Sequence, residues 1–304
     1  MTLNFDHTSN RIYTTIGSNG NIVLSPDGNG AILGQKPDNT ATGGNARGVK
    51  AIDLQLSRSN ANQVASGDYC IQLGGQDNLT SGYQSITGGG YSNENGGIQS
   101  FLGSGTQNSI ATNNIASVLN GGSTNVLDAD YAVISGGAYN TIGGNYSIGE
   151  GYSSNDFNVI GRKVFSTFGI TSTDGCQVSE MQLYRQSENA TPINLTSNGV
   201  TATSLNQYLS QDYQVTTLTF MINAWDGGDR KTWKGFASLS SVSGVLTIDA
   251  QNFDLIYESA GASAWDVEIV VSSLNACFQA TGETAKTIRW SCHLIANELI
   301  YNVG

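Results

Sequence analysis

Trp225 and Trp233 bracket the run Asp226-Gly227-Gly228-Asp229-Arg230-Lys231-Thr232, the stretch whose residue types best suit recognition chemistry. Two indoles beside a charged loop form a platform on which a sugar ring can stack. The flanking runs fit an antiparallel hairpin in which Trp225 faces Trp233 and Ile222 faces Phe236. The same pair therefore also reads as a cross-strand aromatic contact that closes the hairpin. The candidate receptor-binding residues are Trp225, Asp226, Asp229 and Trp233. The other two tryptophans read as core: Trp265 is in phase with Val267, Ile269 and Val271, and Trp290 with Ile288, Cys292 and Leu294.

Catalytic and metal chemistry find little support. Asp128 and Asp130 pair two carboxylates in the manner of a glycosidase, but they fall where a repeat is irregular and read as a solvated loop. The two histidines, His7 and His293, are far apart, and His293 lies in an expected strand. The four cysteines form no CxxC pair, so no metal site is expected. Cys277 and Cys292 are placed to face each other on paired strands, as a reduced buried pair. The glycine clusters lack the Lys-Ser/Thr of a phosphate loop. The expectation is no enzyme, no cofactor and no metal.

The elements that would carry such a platform begin with a repeat. YCIQLGGQDN, QSITGGGYSN, QSFLGSGTQN, ASVLNGGSTN, YAVISGGAYN and YSIGEGYSSN end on Asn78, Asn93, Asn108, Asn125, Asn140 and Asn155, spaced 15, 15, 17, 15 and 15 residues apart. A unit this short cannot bury an apolar face alone, so the coils must stack as a solenoid. Ile71, Ile86, Phe101, Val118, Val133 and Ile148 share one strand position, and a small residue precedes each. Glycines then supply the φ > 0 of a tight corner. The asparagine closes the corner in the left-handed region, and six stacked asparagines can form an amide ladder. Phe101-Leu102, Val118-Leu119 and Val133-Ile134 are apolar on both faces, which calls for cover on both. A second copy of the same strand is the simplest cover, although a wide coil could contact its own returning strand instead. Val118 is expected in the stacked core.

The chain of 304 residues has 12% charged residues and a formal net charge of −11. No lysine or arginine occurs between Arg58 and Arg162, where Asp68, Asp77, Glu94, Asp128, Asp130, Glu150 and Asp156 lie. An acidic shaft repels phosphate, so no nucleic-acid partner is expected. No run reaches transmembrane length and the amino terminus lacks a signal-peptide core, so membrane insertion and export are not expected. Residues 218–224, 236–239, 245–248, 253–257, 265–271 and 288–295 alternate as short strands, the pattern of a β-sandwich or jelly roll. Residues 21–24 and 31–33 read as strands, 164–171 as a neck strand, and 203–209 as one helical turn.

The run GGNARGVKAIDLQLSRSNANQVASGDYCIQLGG, with GNIVLSPDGNGAI before it, resembles the entry segment of the repeat domain in bacteriophage tail-fibre and virion-fibre proteins. The coils are similar to the head repeats of trimeric autotransporter adhesins, whose fold is a left-handed parallel β-roll trimer. ATGETAKTIRWSCHLIANEL resembles the last strands of C-terminal domains on phage fibres. The resemblance implies an all-β homotrimer located in the virion. Its parts are an N-terminal attachment segment (1–50), a parallel β-roll of about 15-residue repeats (51–161), a neck (162–176) and a jelly-roll-like C-terminal β-sandwich (177–304). The expected function is a structural and adhesive tail fibre, its N-terminal segment held by another virion protein and its tip meeting a host surface glycan or protein. The alternatives are a capsid-attached head fibre or decoration protein, or a polysaccharide-depolymerase tail spike.

Overall fold

The computed structural model describes residues 3–6, 11–14, 26–167 and 175–301, and the expected strand at 21–24 lies outside them, as does His7. The chain is all-β and is built on a parallel β-solenoid of about eight turns. One rung of each coil joins a first sheet that runs Ile32–Leu33, Ile52–Asp53, Ile71–Gln72, Ile86–Thr87, Phe101–Leu102, Val118–Leu119, Val133–Ile134, Ile148–Gly151 and Lys163–Ser166. Eight intervals of about 4.8 Å make this shaft roughly 38 Å tall. A second parallel sheet, which the repeat pattern did not reveal, stacks Leu79–Thr80, Glu94–Asn95, Ser109–Ile110, Val126–Leu127 and Thr141–Ile142.

From Ile52–Asp53 to Thr141–Ile142 side chains alternate on these two-residue rungs. The second residue points inward: Leu102, Leu119 and Ile134 meet Ile110, Leu127 and Ile142 in one buried cluster. Nearer the amino terminus the interior turns polar, with Gln72, Thr80 and Thr87 joined by hydrogen bonds of 2.9 and 2.7 Å. There Arg47 pairs with buried Asp53 at 2.7 Å. The first residue of each rung points outward, and Val118 is half-exposed rather than part of the core. Its neighbour Leu119 is the buried one.

The amide ladder exists and has five members. Asn93, Asn108, Asn125 and Asn140 each donate backbone N–H and Nδ2 to the Oδ1 of the preceding asparagine, starting from Asn78, at 2.9–3.1 Å. Asn155 does not join. The last coil is one residue shorter, and Ser154 N takes the place beside Asn140 Oδ1. The left-handed corner is also not at the asparagine but at the residue before it, Asp77, Ser92, Gln107, Thr124 and Tyr139, and in the shortened last coil at Ser153 before Ser154, with φ of +53° to +59°. The asparagine turns inward, where its amide does more for the backbone than it would in the corner. The glycine requirement is steric as well as conformational. A Cβ on Gly90 (φ +86°) would lie 2.2 Å from the carbonyl oxygen of Gly105 in the next coil.

The first sheet does not stop at the shaft. Lys163–Ser166 pairs parallel with Ile148–Gly151 and antiparallel with Gly175–Ser187. The sheet then continues through Ile288–Ile300, Gln214–Trp225, Arg230–Val242 and Val245–Glu258 as one 14-stranded sheet. The expected strands at 245–248 and 253–257 are a single strand, and 203–209 is a turn leading into Tyr208–Leu209, not a helical turn. A four-stranded sheet of Ile193–Asn194, Asn275–Thr281, Tyr208–Leu209 and Asp266–Ser272 shares one apolar core with the long strands. Cys277 and Cys292 do not face each other. They sit on different sheets, opposite Val270 and Leu183 respectively, and all four cysteines are free. Burial pushes the Cys70 thiol up to about 11 and raises those of Cys277 and Cys292.

Asn108→Ala should destabilise the shaft by about 1–3 kcal/mol for each buried group it orphans, Asn125 N first among them. Ser123→Ala, at a half-buried corner, should stay within about 0.5 kcal/mol of wild type. Denaturant unfolding of the two variants checks both, and equal midpoints would mean that the ladder contributes no stability.

Candidate functional site

The hairpin closes in four residues. Asp226 Oδ1 accepts from Gly228 N at 2.9 Å and Asp229 N at 2.7 Å, while Gly227 takes φ +106°. The strands therefore begin at Arg230, three residues earlier than a Trp225–Trp233 pairing requires. Trp225 lies opposite Arg230, Ile222 opposite Trp233 and Thr219 opposite Phe236. That shift separates the two indoles by sheet face. Trp233 is 4% exposed and stacks on Trp290, with ring centroids 6.1 Å apart, beneath the sheet. Trp225 is 49% exposed on the outer face. Of the two readings of this pair, neither holds as stated: they form no cross-strand contact and no shared platform. Trp265 and Trp290 are core residues, at 0% and 2%.

Asp226 and Asp229 are near Trp225 but turned to other work. Lys286 Nζ lies 3.5 Å from Asp229, 3.9 Å from Asp226 and 3.0 Å from Glu283, and donates to Gly261 O at 2.6 Å. Ser259 Oγ donates to Asp229 Oδ1 at 2.9 Å. The amide donors of Gly228 lower the Asp226 pKa, and the hydrogen bond to Glu283 raises that of Lys286. Both shifts favour the charged forms, so the Asp226 contribution fades as pH falls from the ordinary carboxylate range through its lowered value, and the Lys286 contribution fades as pH rises through its raised one.

Sequence reasoning missed the cations beside the exposed indole. Arg230 and Arg289 are the register partners of Trp225 on its two sides, and the Arg230 guanidinium lies 4.9 Å from the Tyr257 ring centroid. Arg230 was legible as the residue after the loop. Arg289 was not, because its strand arrives from more than sixty positions away.

The remaining candidates are structural. Asp130 Oδ1 accepts from Ile115 N at 2.8 Å and Asp128 from Asn114 at 3.5 Å, so both hold the 17-residue coil. His293 pairs with Glu180 at 2.8 Å on the outer face. Among the described residues no set of three or more His, Cys, Asp and Glu side chains converges to hold a metal ion. No helix among them is long and apolar enough to cross a membrane.

No family model matches the chain, and no curated protein sequence matches it. Among solved structures it matches a tailspike protein of Acinetobacter baumannii bacteriophage Fri1, described as a capsular polysaccharide depolymerase. The TM-score is 0.24 and the identity 11%, over 87% of this chain and 44% of that one. It also matches the tailspike of Acinetobacter phage vB_ApiP_P1 at TM-score 0.22 and 11% identity, over 85% of this chain and 68% of that one. This chain thus spans under half the length of the first of these tailspikes. The expectation of no enzyme is corrected here, since the matched structures include a depolymerase. A likeness this distant assigns no activity to the present chain.

Trp233→Ala should cost about 3–5 kcal/mol through the cavity left against Trp290. Trp225→Ala should change stability by less than about 0.5 kcal/mol. Thermal unfolding of the two variants reads the difference directly, and a destabilised Trp225→Ala would contradict the outer-face placement.

Proposed function

We propose that the chain is a structural and adhesive fibre or spike protein of a bacteriophage virion, working as a homotrimer. The observation that carries this reading is a column of apolar side chains on the outside of the first sheet. Ile52, Ile71, Ile86, Phe101, Val118, Val133 and Ile148 follow one another on successive rungs, with no charge among them. Phe101 is 39% exposed and Ile148 38%. Among the described residues nothing covers the column. Seven rungs of this kind are an uncommonly regular apolar surface for a chain that is otherwise polar, and a matching column in another copy would bury it. Three copies follow from the resemblance of the coils to trimeric adhesin repeats.

In this reading the N-terminal segment (1–50) attaches to another virion protein and the roll (51–161) is an acidic spacer. The segment 162–176 forms the transition, and the two sheets of 177–304 act as a β-sandwich at the host-facing end. The host-contacting site is the Trp225 end of the outer face, with Asp226 and Asp229 shaping its loop and Trp233 supporting it from the core. Three copies multiply a weak contact into avidity.

Light scattering on the purified chain should give three times the 31.9 kDa chain mass. Val118→Asp should dissociate the trimer into folded subunits, whereas Leu119→Asp should unfold the shaft. A folded wild-type monomer would sink the oligomer reading. Trp225→Ala should lower host-cell adsorption of assembled particles, and unchanged adsorption would move the capsid-decoration role ahead. Release of reducing ends from host surface polysaccharide would instead make the chain a depolymerase.

A further inference from the structure

Trp225 stands on the outer face between two guanidinium groups. Arg230 is its register partner on one side and Arg289 on the other. Partners across an antiparallel pair lie about 4.5–5.5 Å apart at Cα with side chains on the same face. All three side chains are exposed. Arg230 also packs against Tyr257, itself 44% exposed, which orients its guanidinium plane. The next outward row is polar and uncharged: Asn223 sits between Thr232 and Ser291, and Thr232 Oγ1 donates to Asn223 Oδ1 at 3.1 Å.

Neither arginine has a carboxylate partner among the described residues, in a chain with 24 Asp and Glu against 13 Lys and Arg. The carboxylates nearest in sequence, Asp226 and Asp229, are held by Lys286, Ser259 and loop amides. Two charge-bearing forks flanking an open indole are therefore left without carboxylate partners among the described residues.

We propose that the row Arg289–Trp225–Arg230 binds a carboxylated saccharide, the sugar ring stacked on the indole and its carboxylate held by a guanidinium. This rests on the reading of the Trp225 end as the host-contacting site. An indole face takes the apolar face of a pyranose ring whatever its charge. Guanidinium forks match a carboxylate bidentately, which an ammonium does not. The acidic shaft repels an anionic polymer along its length, so such a polymer is held where the cations are. The row is also clear of the column assigned to contacts between copies. Ile148 is in register with Lys163, Glu180, Ile295 and Thr219 across the sheet. Trp225 lies six residues further along its strand than Thr219, roughly 20 Å off that line.

The test uses the full chain and two small probes, methyl α-glucuronide and methyl α-glucoside. Trp225 is the exposed tryptophan, the other three being 4% exposed or less, so indole fluorescence reports on this site. The glucuronide should give a saturable change at least about fivefold tighter than the glucoside. Arg289→Ala or Arg230→Ala, whichever removes the fork that holds the carboxylate, should bring the glucuronide down to the glucoside level, and the double variant must do so. In Trp225→Ala, saturation transfer to the sugar protons should be lost. Equal responses to the two probes, or none to the glucuronide, overturn the proposal. A changed oligomeric mass in Arg289→Ala or Trp225→Ala also overturns it, because the patch would then be a contact between copies. Reduced host adsorption by Trp225→Ala together with equal sugar responses retires the carboxylate assignment and leaves host contact standing. Glucuronide binding with unchanged adsorption does the reverse.

Discussion

The asparagine ladder is the constraint on which the shaft depends. From Asn93 to Asn140 each buried amide donates Nδ2 to its predecessor and to two corner carbonyls, as Asn93 does to Asn78 Oδ1, Gly89 O and Gly105 O, with Ser104 O standing in for a glycine carbonyl at Asn108. The Oδ1 atoms of Asn78, Asn93, Asn108 and Asn125 each accept two donors from the next coil, and that of Asn140 accepts Ser154 N. An amide in this position has its hydrogen-bonding capacity filled without water, so it can be buried at little cost. The geometry works only if every coil returns to the same point, and this fixes the period at 15 residues. Where two extra residues enter, between Gln99 and Ala116, they are pushed out as a loop and the Asn108-to-Asn125 step keeps the same 3.0–3.1 Å bonds. The left-handed corners before each asparagine are part of the same bargain. A non-glycine residue there costs on the order of 1–2 kcal/mol, offset by the coil-to-coil bonds it allows.

At the carboxyl end of the shaft the ladder stops and a different device takes over. Arg162 and Glu298 form an ion pair with both side chains fully buried, and Ser179 and Gln177 complete the carboxylate's partners. The guanidinium also lies over the rings of Phe157 and Tyr208, at 5.2 and 5.4 Å. Four segments from distant parts of the chain meet at this node. It sits where parallel pairing gives way to antiparallel pairing and where two-residue rungs become thirteen-residue strands. A buried pair of this kind is weak in net stability but costly to break, so it locks one arrangement of the joint. The result is a single sheet that runs from shaft to tip.

Charge is sorted along that sheet. Between Arg58 and Arg162 the shaft carries acids and no cations, its first-sheet outer column carries neither, and the far end of the sheet carries arginines beside an open indole. Each zone suits a different contact: solvent for the acidic sides, another copy for the neutral column, an anionic ligand for the tip. The separation depends on side-chain parity, since a one-residue slip on any strand would move its apolar residues to the opposite face.

The sequence by itself determined the solenoid. A 15-residue echo with glycines and asparagines at fixed places admits no other use, because one coil has no core of its own. It determined the all-β character of the remainder and the buried roles of Trp265 and Trp290, since alternation fixes which residues share a face. It did not determine which face. Val118 and Leu119 are both apolar, and only the returning second sheet decides that Leu119 is inside. The separation of Trp225 from Trp233 was likewise decided by tertiary structure: the Asp226 side chain closes the turn in four residues, and that sets the parity of everything after it. Arg289 reached Trp225 through pairing between strands about sixty positions apart, and Cys277 and Cys292 were parted by the assignment of their strands to different sheets. Local periodicity carries the face-to-face alternation of a strand, whereas long-range register is chosen by the packing of the whole core.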